Sequence, residues 1–398
     1  MKRVLLVSSG EKGHVNPLVG VAQHLRAAGH HVGWLVVPEP VDQVKKLGVE
    51  LVRLPMETPV DEIVTQGPEM SALARDAKAL RSWIQALLLD AVPAQIEPFR
   101  KALRAFQPDV VGTDPMLYQA YIACHLEQRP FAGISSSLNP VTPDHVDVEL
   151  TRTVRSLASA RAALFGSHGL APKFAVCDAL GPMLTTCFAT REYVGDGELH
   201  PAVKLVGPTR PLGDRGDEVP FPWERLDASR PFVYLSFGSQ IGWQPEIFAR
   251  VARVLARRAV PLVINAGVES HARGLAELPG QVITVRYAPQ RELLAKAAAF
   301  VTHGGANSVM EAITAGVPML VSPVCNDQPI QATFVERSGV GCVLNIPLAT
   351  DDQIDEAFGA LLEPETNSFK RALAPISAAY RASDGAREVA RLLVELAA

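Results

Sequence analysis

No apolar run in this chain approaches the ~20 residues that a membrane-crossing helix requires, so no transmembrane segment is expected. Cysteine is scarce and scattered: Cys124, Cys177, Cys187, Cys325 and Cys342 share no C-x-x-C spacing. An odd, dispersed set points to reduced thiols in a cytosol, not to a disulfide framework or a zinc site. Basic residues are not in excess either. The 38 Lys and Arg face 42 Asp and Glu, and basic runs stop at pairs such as Lys45-Lys46 and Arg257-Arg258. Nucleic acid is therefore not an expected partner. The first loop reads G-E-K-G-H-V-N. It lacks the G-x-G-x-x-G that a dinucleotide-dependent oxidoreductase needs for its pyrophosphate. Asp351-Asp352 reads as a helix start, and no Asp-x-Asp pair stands in a strand-loop setting. Lys2-Arg3 before Val4–Val7 is too short for a secretion signal and reads as a first strand.

What is present is a chain of 398 residues, 48% hydrophobic and 20% charged, enough for two ordinary globular domains. Strand and helix patterns alternate from the start, which implies α/β architecture with parallel sheets covered by helices. Strands are expected over 3–9, 31–37, 109–113, 130–135 and 184–189. Pro17 is expected to open the first helix, whose apolar face is Leu18, Val21, Ala22 and Leu25. Residues 58–105 read as mostly helical with breaks at Pro93 and Pro98, and 139–180 as irregular and helical. The Pro-, Gly- and charge-rich stretch 206–223 reads as a linker. A second unit restarts at 231–236, with a helix near 245–258 and strands at 262–265, 282–285, 300–302 and 319–324. Two doubly wound units of this kind bind ligands at the carboxyl ends of their strands.

Residues 287–328 concentrate the unusual side chains: Y-A-P-Q, then T-H-G-G-A-N-S-V-M-E, then N-D-Q-P. His303-Gly304-Gly305 reads as a turn before a helix that runs to Ala315, with Gly316 as its left-handed stop. His303, Asn307 and Glu311 fall on one stripe at helical spacing. A helix N-terminus suits a diphosphate, a glutamate one turn on can take ribose hydroxyls, and an Asp-Gln pair on the next loop can read a sugar.

This segment resembles the donor-binding signature of UDP-dependent glycosyltransferases of the GT-B fold, W-x-P-Q … H-x-G-x-N-S-x-x-E … D/E-Q. The likeness runs from G-H-V-N-P in the first loop to the terminal helix, and is most like bacterial natural-product and carotenoid members. It implies two Rossmann-like domains facing across a cleft. The acceptor-binding domain would be 1–209 with 377–398 packing back on it, and the donor-binding domain 210–376. It implies that Tyr287, Gln290 and Glu311 bind the nucleoside, and that His303, Gly305, Asn307 and Ser308 hold the phosphates with Ser239 of S-F-G-S. Asp327 and Gln328 would contact the sugar. His14 would be the general base, on the loop after the first strand, and Asp114 would orient it. Tyr287 stands where the family often has Trp, which leaves uracil or thymine open.

The implied reaction is inverting transfer of a hexose, glucose from UDP-glucose first, to a hydroxyl of a hydrophobic small molecule. A dTDP-sugar donor for polyketide or macrolide glycosylation is the alternative, and a non-catalytic sugar-nucleotide-binding helper the further one. A GT-B enzyme adding N-acetylglucosamine to a lipid carrier, or an epimerase of related fold, is not expected to carry H-G-G-x-N-S with Asp-Gln. No cofactor and no metal are expected. The acceptor pocket is read around Met56, Trp83, Leu87, Met116 and the 135–180 stretch. The expected setting is cytoplasmic, with room for a peripheral membrane contact, and nothing in the pattern fixes an oligomeric state.

Overall fold

The computed structural model describes residues 1–37, 39, 41–55, 67–227, 229–267, 278–363 and 368–398. In chain order the strands are β1 (Arg3–Ser9), β2 (His31–Val37), β3 (Glu50–Val52), β4 (Val110–Thr113) and β5 (Phe131–Ser135). A short hairpin follows, β6 (Phe174–Ala175) with β7 (Asp178–Ala179), then β8 (Thr185–Cys187) and β9 (Val203–Leu205). The second set is β10 (Val233–Ser236), β11 (Leu262–Asn265), β12 (Val282–Val285), β13 (Ala299–Thr302), β14 (Met319–Val321) and β15 (Gly341–Val343).

They form two large parallel sheets, ordered β3-β2-β1-β4-β5-β8-β9 and β12-β11-β10-β13-β14-β15. In each sheet the strand order reverses beside the first strand, at β1/β4 and at β10/β13. The turns that leave these strands open a crevice at their carboxyl ends. The strands carry near-continuous apolar runs because both faces are covered by helices. Val4, Leu5, Leu6, Trp34, Tyr234, Phe300 and Val301 are fully buried. Each such side chain contributes about 1.5–3 kcal/mol by leaving water. Tyr234 and Phe300 stack with centroids 5.1 Å apart. The last helix, Gly385–Leu396, crosses back and packs on the first helix, β4 and β5. This two-sheet arrangement is the GT-B fold.

Several local expectations are corrected. The first helix begins at Lys12, not at Pro17, so His14 lies in its first turn and not on a loop. Pro17 sits inside that helix. It has no N–H for the Gly13 carbonyl four residues back, and the Asn307 side-chain amide takes that carbonyl at 2.9 Å. Pro98 does not break the helix Val92–Phe106, and Pro93 lies in its first turn, where a proline N–H is not missed. β14 ends at Val321, before Ser322-Pro323. Asp327 and Gln328 are not on an open loop: Asp327 caps, and Gln328 begins, the helix Gln328–Ser338. β3, β9 and β15, three residues each, give too little periodicity to be read from sequence.

Candidate active site

His14 and Asp114 leave adjacent strands β1 and β4 and meet side chain to side chain through Nδ1 and Oδ2. Asp114 is buried, and its other oxygen accepts the Met116 backbone N–H at 2.9 Å, which fixes the carboxylate. With Nδ1 taken by Asp114, Nε2 is the nitrogen left for a substrate proton. Burial opposes charge on His14, but Asp114, Glu11 and Asp327 outweigh it and raise the ring to about 9. Ser136 Oγ also reaches His14 Nδ1, at 3.1 Å. Behind it lies a further carboxyl, Asp178, held by Ser135 Oγ at 2.6 Å and Asn139 Nδ2 at 2.7 Å. Burial pushes Asp178 up to about 7, with those hydrogen bonds opposing and Asp114 adding.

The second wall is built at the ends of β10 and β13. His303 follows β13 and is buried, and burial pushes it down to about 4, so the ring is neutral at pH 7. It lies against two glycines. A Cβ on Gly305 would sit 2.5 Å from His303 Nε2, and one on Gly238 would sit 2.9 Å from its Cε1. Both positions therefore need glycine for the ring to lie where it does. Ser239 is exposed on the turn after β10. Gly305 caps the helix Ala306–Ala315, and Gly316 ends it in the left-handed conformation. Asn307 and Glu311 share a helix face as read. His303 precedes the helix and reaches the same region from the turn.

Around Glu311 the residues read from sequence as nucleoside-binding converge. Gln290 Nε2 donates to Glu311 Oε2 at 2.8 Å and lies 3.4 Å from Ser308 Oγ. Tyr287 donates its hydroxyl to Asp217 at 3.0 Å, and the Lys12 ammonium stands 3.5 Å from the Tyr287 ring centroid. Burial lowers the Lys12 pKa, with Asp217 opposing. Asp327 is half-buried at its helix start, and burial raises its carboxyl while His14 opposes. Gln328 is buried, with Oε1 accepting the backbone N–H groups of Val324 at 2.9 Å and Cys325 at 3.1 Å. That amide oxygen closes the 324–328 turn.

Of the acceptor candidates, Met116 is beside Asp114, while Trp83 and Leu87 are half-buried in the helical layer 77–90. Met56 lies outside the described residues. A small open-sided crevice joins both walls, with Ser136, Leu138 and Tyr193 on one side and Asn307, Met310 and Gln331 on the other. Sequence reasoning missed Lys12, Ser136, Asp178, Arg215 and Asp217. For the last two the signal was available: a charged G-D-R-G-D-E run inside a linker. Among the described residues no group of three or more His, Cys, Asp and Glu could hold a metal ion, and no helix is long and apolar enough to cross a membrane.

Comparison with known proteins finds the same fold among glycosyltransferases. Residues 255–396 match the family model described as erythromycin biosynthesis protein CIII-like, C-terminal domain. Glycosyltransferase GtfC of Amycolatopsis orientalis is 26% identical over 424 residues, covering 99% of this chain and 97% of that protein. The 4'-demethylrebeccamycin synthase of Lentzea aerocolonigenes is 24% identical, covering 91% and 92%. Among solved structures, the glycotransferase of kitacinnamycin has a TM-score of 0.77 at 24% identity, covering 100% of this chain and 99% of that one. The glycosyltransferase VinC in complex with DTDP has a TM-score of 0.71 at 21% identity, covering 99% of each chain. The chain thus has the GT-B fold, resembles glycosyltransferases of natural-product type over its whole length, and is an enzyme that transfers a sugar.

Proposed function

We propose that this enzyme moves a hexose from a pyrimidine nucleoside diphosphate to a hydroxyl of a hydrophobic small molecule, with inversion at the anomeric carbon. The observation that carries the reading is the placement of the His14–Asp114 pair against the N-terminus of the helix Ala306–Ala315, tied there by Asn307 and the Gly13 carbonyl. A base on one wall then faces a diphosphate site on the other.

His14 Nε2 takes the acceptor hydroxyl proton as the oxygen attacks C1 of the sugar. The new C1–O bond forms as the bond from C1 to the diphosphate oxygen breaks, and the electron pair leaves with the nucleoside diphosphate. Asp114 stabilises the imidazolium that results. The free N–H groups at the start of the helix, neutral His303 as a donor, and Ser308 receive the charge that develops on the leaving diphosphate. These donors supply what a cation supplies elsewhere, so the reading needs no metal. Asp327, close enough to influence His14, accepts sugar hydroxyls in this reading. The donor read first is UDP-glucose. A dTDP-sugar is the second reading, and two observations support it: Tyr287 in the place of Trp, and the structural neighbour VinC solved with DTDP.

The test is calorimetric binding of UDP, UDP-glucose and dTDP-glucose in the presence of a chelator, followed by transfer assays with apolar alcohols and phenols. His14→Ala should lower transfer by about 10²-fold or more while nucleotide affinity stays within about threefold. Turnover that survives the substitution overturns the assignment of the base.

A further inference from the structure

The run S-S-S-L-N at 135–139 leaves β5 with three consecutive serines, and each hydroxyl has its own partner. Ser135 donates to Asp178 Oδ2 at 2.6 Å. Ser137 Oγ accepts the Asn139 backbone N–H at 3.1 Å. Asn139 in turn donates its side-chain amide to Asp178 Oδ1 at 2.7 Å. One carboxyl group on β7, 1% exposed, therefore engages both ends of the turn, one oxygen to each. Ser135 and Asn139 are buried with it. The middle serine is left to face the crevice between the walls, half-buried, with Ser136 Oγ 3.1 Å from His14 Nδ1.

Two oxygens thus approach one ring nitrogen, Asp114 Oδ2 from the end of β4 and Ser136 Oγ from the end of the neighbouring β5. Nδ1 carries one hydrogen at most, and a carboxylate can only accept, so that hydrogen faces Asp114. Ser136 meets the same N–H with a lone pair, and its own hydrogen turns away from the ring. A half-turn of the imidazole about Cβ–Cγ would set a C–H against both oxygens and carry Nε2 away from its place. Resting on the reading of His14 as the base, we propose that Ser136 is a second positioning residue for that base: with Asp114 it seats the Nδ1 edge of the ring, so that Nε2 stays bare and aimed at the acceptor hydroxyl. When His14 takes the acceptor proton, the bond from Nδ1 to Ser136 becomes charge-assisted and strengthens. The hydroxyl therefore favours the charged ring over the neutral one.

The test is nitrogen NMR of the whole protein, isotopically labelled at its histidine rings and titrated with pH. It reads the tautomer and the titration midpoint of His14 with no donor or acceptor present. The His14 signals are those missing from His14→Ala. In the unaltered protein the neutral ring should carry its hydrogen on Nδ1. Ser136→Ala should lower the midpoint by about half a unit or more, about a threefold loss of proton affinity. Ser136→Thr keeps the oxygen and should restore it. Asp114, Glu11 and Asp327, the charged groups around the ring, are untouched by either change, so the shift reports the hydroxyl. In transfer assays kcat of Ser136→Ala should fall about three- to tenfold with donor KM within about twofold. A midpoint and tautomer that stay in place in Ser136→Ala overturn the inference, and so does an equal shift in Ser136→Thr. Where Ser136→Ala does not fold, Ser136→Cys, nearest in size and a weaker acceptor, should shift the midpoint in the same direction. Turnover that survives in His14→Ala sinks the base reading itself, whatever the Ser136 spectra show.

Discussion

Two histidines face the cleft, one from each wall, and their surroundings drive them in opposite directions. His14 follows β1 and His303 follows β13. Burial disfavours charge on both. Around His14 three carboxylates, Asp114, Glu11 and Asp327, overcome it and raise the ring to about 9. Around His303 no carboxylate opposes burial, and the ring falls to about 4. The same side chain thus becomes a proton holder on one wall and a neutral donor on the other. A histidine's role follows from its second partner and not from its position after a strand.

The largest test of this contrast is Asp114→Asn, which keeps the side-chain shape and removes the charge that His14 feels. Transfer should fall by about 10²-fold or more. In the unaltered enzyme kcat/KM should rise with pH up to about 9, where free His14 loses its proton. In Asp114→Asn that limb should move to lower pH. A limb that stays in place detaches His14 from the rate.

An intermediate effect is expected from Gly305→Ala. The added methyl falls where His303 lies, so the ring must leave its seat. Nucleotide affinity should drop about tenfold, with the pH limb set by His14 unmoved. Unchanged nucleotide binding would take His303 out of the phosphate site.

The smallest effect on turnover, but a distinct one on stability, is expected at Asp178. Its folded pKa, about 7, lies above the ordinary carboxyl value of 3.8, so the folded state binds the proton more tightly than the unfolded chain does. The stability this confers is present below the unfolded value and is lost as pH rises through about 7. Asp178→Asn should remove that loss, on the order of a few kcal/mol between pH 4 and pH 8, as read by thermal melts across that range. An identical pH slope in the two proteins would mean that Asp178 does not titrate there. His14 adds a loss of the same sign between its ordinary value of 6.5 and about 9. That loss belongs to both proteins and cancels in the comparison.

Much of the architecture was legible because its signals are local. Buried parallel strands are continuous apolar runs, and the turn T-H-G-G followed by A-N-S-V-M-E carries its own stop at Gly316. The pairing of His14 with Asp114 across 100 residues was available only through family likeness, since spacing in sequence does not say that β1 and β4 are neighbours. The start of the first helix was misread because proline is favoured at a first turn, and here it is used inside the helix. The role of Gln328 was legible as a motif letter but not as geometry: its amide oxygen is committed to two backbone N–H groups. Lys12, Arg215 and Asp217 escaped because charges on loops are ordinarily solvated. Only the folded chain brings them onto Tyr287 and Glu311.

The proline in the first helix has a consequence for how the two walls recognise each other. A helix of ordinary amino acids would keep the Gly13 carbonyl for itself. Pro17 releases it, and the acceptor so exposed stands next to the proposed base, where Asn307 of the opposite wall claims it. The missing hydrogen of one imino acid thereby becomes an alignment mark between wall and wall.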